Sequence, residues 1–306
     1  MDRRRALQAL SGSALALAGC ARTNVVKEER TMGNDGNTAA TKTNEGTSGD
    51  SASKMPVIFA AHGAPMLLDD AAWMKELADW AKAMPKPKAI LVISAHWEEH
   101  PAAIGATTKV PLIYDFYGFP QHFYETQYGS PGAPQLAARV RELFAERGLP
   151  LQEKPTRGLD HGAYIPLIAM YPLADVPVLQ ISLPALDGRK LADFGKTLAP
   201  LRDEGVLIFG SGFLTHNMRL AFTKGVPAWA SEFDLWAKEA FEKFDLDSLI
   251  EWKTRAPAAE IALPTWEHYA PAIVAAAAAG PTKPTISFPI TGFWMGPFTK
   301  RSVQFG

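Results

Sequence analysis

Six short aliphatic or β-branched runs restrict the fold of this chain more than any other feature: Val57–Ala61, Ala89–Ala95, Ala102–Ala106, Val176–Leu183, Val206–Gly210 and Thr285–Pro289. Most are apolar without a break. Successive side chains of a strand point to opposite faces, so such a run belongs in a sheet covered on both faces. Amphipathic stretches of helical period separate the runs, at Asp70–Ala83, Ala133–Arg147, Ala163–Met170, Arg189–Leu201, Ala228–Phe244 and Trp266–Ala279. Within 133–147, Leu136, Val140, Leu143 and Phe144 recur on one helical face, and Pro134 suits a first turn. The alternation predicts an α/β fold, a three-layer α/β/α domain around a mostly parallel or mixed central sheet.

The N-terminus has a different character. Arg3, Arg4 and Arg5 precede an Ala/Leu-rich segment, Ala6 to Ala18, that is too short for a membrane-spanning helix. It ends in Leu17-Ala18-Gly19-Cys20, which resembles the lipobox of bacterial lipoproteins, where cleavage precedes a lipid-carrying cysteine. Residues 1–20 are therefore expected to be a lipoprotein signal peptide. Its arginines also resemble a twin-arginine signal, which exports proteins already folded. Residues 21–54 are dominated by Gly, Asn, Thr, Ser, Ala and charge, and are expected to form a disordered tether. The expected address is the periplasmic side of a bacterial membrane. Ala21 after the cysteine, where an Asp would signal retention, favours the outer membrane. Cys20 is the only cysteine, so no disulfide is available.

Residues 55–306 are long enough for one large domain. The formal net charge of −1 leaves no electrostatic footprint for nucleic acid. The segment from Pro111 to Pro134 breaks the alternation and carries Tyr114, Phe116, Tyr117, Phe119, Phe123, Tyr124 and Tyr128. A loop this long and aromatic is expected to be a packed lid or substrate wall, with an aromatic satellite core as the alternative.

Five of the seven histidines sit at the ends of apolar segments: His62, His96, His161, His216 and His268. His62 and His96 each leave a strand at its carboxyl end, the edge where open α/β sheets bind ligands. His216 follows Gly210-Ser211-Gly212, with Asn217 and Arg219 beside it as groups able to bind an anionic oxygen. Asp160 could orient His161 or cap the following helix. Glu267 beside His268 offers a carboxylate. Imidazole is the commonest metal ligand and titrates near neutrality, so the set suits a metal site with a proton-transfer group. His100 reads as solvated. No Gly-x-Ser-x-Gly, His-Glu-x-x-His or Walker-type pattern is present, which argues against a serine hydrolase on Ser94 or Ser211.

Taken in order, the segments resemble the class III extradiol ring-cleavage dioxygenases of the 4,5-DOPA dioxygenase type. They are His-Gly-x-Pro at 62–65, Ser-Ala-His-Trp-Glu at 94–98, Tyr-Asp-Phe-Tyr-Gly-Phe-Pro at 114–120, Leu-Asp-His-Gly at 159–162, Gly-Ser-Gly with Thr-His-Asn at 210–217, and Glu-His-Tyr-x-Pro at 267–271. The resemblance implies that His62, His96 and His268 hold one divalent non-haem metal, Fe(II) for activity, with Zn(II) a possible occupant of isolated protein. It implies that His216 is a further ligand or an acid/base, and that His161 is a second catalytic histidine near substrate and O2. Tyr117, His122 and Asn217 are the candidate substrate contacts. Ala64 departs from the Ser that the family often carries. The implied reaction is extradiol opening of a catechol-type ring with O2. A zinc-dependent hydrolase or lyase on the same scaffold, and a non-enzymatic binding lipoprotein, stay open as alternatives, as does the oligomeric state.

Overall fold

The structure, a computed structural model, describes residues 54–306. The expected leader, Cys20 and all of the expected tether except Lys54 lie outside the described residues. In chain order the strands are β1 (Val57–Ala61), β2 (Ala89–Glu98), β3 (Ala103–Ile104), β4 (Gln152–Glu153), β5 (Val178–Leu183), β6 (Val206–Gly212), β7 (Ile286–Ser287), β8 (Phe293–Trp294), β9 (Phe298–Thr299) and β10 (Val303–Phe305). The α-helices are α1 (Ala71–Ala83), α2 (Pro134–Glu146), α3 (His161–Met170), α4 (Gly188–Leu198), α5 (Ala228–Lys243), α6 (Leu246–Ile250), α7 (Trp252–Arg255), α8 (Ala259–Ala262) and α9 (Ala270–Ala278).

Eight strands form one mixed sheet in the order β4-β3-β5-β2-β6-β1-β10-β7, with β5, β2, β6 and β1 parallel at its centre. Strand β10 joins β1 antiparallel, and β3 joins β5 antiparallel. The unbroken apolar runs divide as a period of two requires. Val57, Phe59, Leu91, Ile93 and Ile208 face a core shared with α2, α4, α5 and α9. Ile58, Ala60, Ile90, Val92, Leu207 and Phe209 face a second core with α1 and α3. The expected three layers are present.

Helix α9 is almost wholly Ala with Pro, Ile and Val, and every residue is buried. Its small side chains let it lie tightly between β6 and α4. A Cβ at Gly210 would come within 2.6 Å of Pro271 O, and one at Gly195 within 2.4 Å of Val274 O. The glycines of 210–212 therefore serve close packing inside a strand that runs to Gly212, two residues past its expected end at Gly210. Strand β2 also runs past its expected end, so His96 lies within it, next to a register irregularity between Ile93 and Glu98. The strand expected at Ala102–Ala106 shrinks to two residues, and the helix expected from Trp266 starts at Ala270. Strands β4, β8, β9 and β10 carry no run long enough to announce themselves in the sequence.

Candidate active site

Strand β6 lies between β1 and β2, and its Ser211 is in register with Ala60 on one side and Ser94 on the other. His62, just past β1, and His96, near the end of β2, thus meet over the carboxyl end of β6. Their Nε2 atoms are 3.2 Å apart. His161 opens α3, whose N-cap Asp160 accepts from Ala163 N at 3.2 Å. Its ring lies 4.0 Å from that of His96, centroid to centroid. His268 reaches in from the turn before α9, with its ring 4.8 Å from His96 and 5.3 Å from His62. His216 stacks on His268. All five imidazoles converge on one sheet edge, delivered by five separate segments. Gly162 lets α3 approach from below, because a Cβ there would lie 2.5 Å from Ser94 Oγ and 2.9 Å from the His96 ring.

Hydrogen bonds select the tautomers. Ser211 Oγ donates to Gly162 O, so it accepts from His62 Nδ1–H at 3.0 Å and leaves His62 Nε2 as a lone pair. His268 Nδ1–H donates to Glu267 Oε1 at 3.0 Å, and His161 Nδ1–H donates to Asp115 Oδ1 at 2.8 Å. Three rings thereby carry bare Nε2 atoms. His96 Nε2–H can donate to His62 Nε2, and loss of that proton frees both nitrogens for a cation, the usual coupling of metal binding to proton release.

Burial drives the electrostatics. It holds His62 and His268 well below the ordinary imidazole value, and the neighbouring histidines push the same way. Burial and His161 take His96 down to about 3 against the pull of Asp115. Burial takes His216 to about 4, opposed by Glu267. These four rings are neutral at pH 7, the form that binds metal. For Asp115, burial raises the carboxyl but the bonds from His161 outweigh it, and the group falls to about 2. Neutral imidazoles of fixed tautomer, closely spaced and flanked by Glu267, fit a divalent transition metal by the chemistry of their donors. His62, His96 and His161, and separately His216, Glu267 and His268, each offer ligand atoms within 4.8 Å of one another.

Beneath the cluster, Asp160 is fully buried. It accepts from Ser94 Oγ at 2.7 Å, Gln180 Nε2 at 2.5 Å and Arg157 Nη2 at 3.1 Å. It braces α3 and does not touch the His161 ring. The carboxylate that accepts from the His161 ring is Asp115, which sequence reasoning passed over. Its signal was a lone carboxylate amid the aromatic run 114–120.

The candidate substrate contacts fare differently from the histidines. Tyr117 is 88% exposed. His122 is exposed and pairs with Asp69 at 3.2 Å, outside the histidine cluster. Asn217 spends its amide on Ile261 O at 2.7 Å and its Oδ1 on Arg219 N, which caps the short turn Met218–Leu220. The aromatic loop is packed: Phe116, Phe123 and Tyr128 are buried in the core beside α1 and α3.

The sequence profile described as "Catalytic LigB subunit of aromatic ring-opening dioxygenase" matches residues 55–293. A 4,5-DOPA dioxygenase extradiol of Beta vulgaris is 44% identical over 230 residues, covering 72% of this chain and 86% of that one. One from Escherichia coli (strain K12) is 36% identical over 270 residues, covering 84% and 96%. The crystal structure of an uncharacterized Escherichia coli K12 protein superposes with a TM-score of 0.71 at 31% identity, covering 83% of this chain and all 100% of that one. With its sheet-edge histidines and these relatives, the chain belongs to the class III extradiol ring-cleavage dioxygenases and is an aromatic ring-opening dioxygenase.

Proposed function

We propose that this enzyme opens a catechol-type ring next to its diol with O2, using one divalent metal held by His62, His96 and His268. The observation that carries the reading is the set of converging neutral imidazoles, with His62 and His268 each presenting an Nε2 lone pair fixed by a hydrogen bond at Nδ1. When bound, Fe(II) supplies an electron path between an aromatic diol and O2, with open positions for both; Zn(II) can fill the same ligands in isolated protein. His161 Nε2 accepts a proton from a substrate hydroxyl: the O–H bond breaks, an N–H bond forms, and ionised Asp115 balances the imidazolium. His216, half-buried and neutral, stacks on His268 and is placed to take up or return a second proton. Phe116, edge-on to His161 at 5.8 Å, and Phe213, edge-on to His62 at 5.3 Å, form apolar walls that keep water away from these rings. The relatives named 4,5-DOPA dioxygenase extradiol support an aromatic diol as substrate.

The test is oxygen uptake by anaerobically Fe(II)-loaded protein against a panel of catechols, with His96→Ala as control. Uptake coupled to a ring-opened semialdehyde, absent in the variant, is expected. Failure with every catechol, together with activity that needs zinc and no oxygen, overturns the reading.

We also propose that the enzyme works outside the cytoplasm, tethered through lipid on Cys20. The support is the order of charge, apolar run, small residues and cysteine in residues 1–20.

A further inference from the structure

We infer that Asp115 is a positioning residue that sets the tautomer of His161 and links it to the aromatic loop. This rests on the reading of His161 as the proton acceptor. One carboxylate oxygen, Oδ1, takes two bonds from the same residue: the backbone N–H of His161 at 3.0 Å and its ring Nδ1–H at 2.8 Å. A backbone N–H can only donate, so Oδ1 is held as an acceptor and the ring must present a proton at Nδ1. Nε2 is then bare. The second oxygen, Oδ2, lies 3.8 Å from His96 Nδ1, so the carboxylate sits between the two rings.

Asp115 belongs to the loop, 46 residues from His161 in sequence. Its neighbour Phe116 is buried and packs on Phe119, Tyr124 and the edge of His161. A shift of the loop would thus carry the carboxylate away from Nδ1. Loop placement and catalytic tautomer are one linked element.

The two hydrogen bonds accepted by Oδ1 separate two variants. In Asp115→Asn, the backbone N–H orients the amide so that its oxygen again faces both donors; the tautomer persists and the charge is lost. In Asp115→Ala the ring loses its orienting acceptor. Histidine-selective ¹⁵N NMR of the zinc-loaded full chain, with the His161 signals assigned by difference against His161→Gln, reads the tautomer without turnover. Nδ1–H is expected in wild type and Asp115→Asn, and a mixture in Asp115→Ala. In the iron-loaded enzyme, kcat should fall about 10–100-fold in Asp115→Ala with KM little changed, and by less in Asp115→Asn.

An unchanged His161 pattern in Asp115→Ala, or loss of Nδ1–H in Asp115→Asn, overturns the assignment. Should Asp115→Ala fail to fold, the Asp115→Asn spectrum decides. Because the spectra need no ring cleavage, a wrong tautomer and a wrong reaction give different results.

Discussion

His216 and His268 lie face to face, ring centroids 3.5 Å apart at 11°, with Glu267 Oε1 3.0 Å from His268 Nδ1 and 3.9 Å from His216 Nδ1. One carboxylate thus serves two stacked imidazoles. The hydrogen bond to His268 fixes the tautomer of that ring, while the approach to His216 is too long for a hydrogen bond.

His216→Phe keeps a flat ring on the stack and removes both nitrogens. Metal content should stay near that of wild type while kcat drops roughly 10²–10⁴-fold, the range of a lost acid/base. His268→Phe should lose the metal. Metal analysis beside steady-state kinetics separates the roles, and loss of metal from His216→Phe would make His216 a ligand instead.

Ser211→Ala removes the acceptor that fixes His62 and leaves Gly162 O without its donor. Groups that orient a ligating histidine typically contribute 10–100-fold in metal affinity. A competition titration with a chelator should show a weakening of about that size, with thermal stability lowered by about 1–3 kcal/mol for the unpaired buried carbonyl. Wild-type affinity in this variant would mean that the Nδ1 bond does not prepare His62.

Metal-stripped protein should be acid-labile. His62, His96, His216 and His268 bind protons more weakly when folded than when unfolded, where imidazole titrates near 6.5. Stability from keeping them neutral is present above about 6.5 and lost as pH falls toward 4 and then 3. Asp115 acts in a lower window, between its ordinary 3.8 and about 2. Melting temperature should therefore drop steadily between about pH 7 and pH 4.5, and His216→Asn should flatten the slope. A pH-independent melt over that range contradicts the assignment of four neutral rings.

Cys20→Ser should release the protein from the membrane fraction into the periplasm with its dioxygenase activity intact, because residues 55–293 carry the family domain. Fractionation with lipid labelling checks it; a soluble wild-type protein without label would remove the proposed anchor. Among the described residues, no helix is long and apolar enough to cross a membrane.

Much of this molecule is legible in one dimension because the relevant physics is local. Unbroken apolar runs announce a sheet covered on both faces, and helical period marks the layers. The histidines at segment ends, taken with their neighbours in order, point to a metal site and to the family. Side-chain juxtaposition is not local. Ser211 serves His62, 149 residues away, because β6 inserts between β1 and β2 in one register. Asp115 rather than the adjacent Asp160 orients His161, because Asp160 is drawn down into bonds with Ser94, Gln180 and Arg157. Tyr117 and His122 share the loop with Asp115 yet lie exposed, since a loop without period does not reveal which side meets the core. The sequence by itself determined the layers and the imidazole set; the long-range strand register and the packing of the loop decided which nitrogen is bare on His62 and His161.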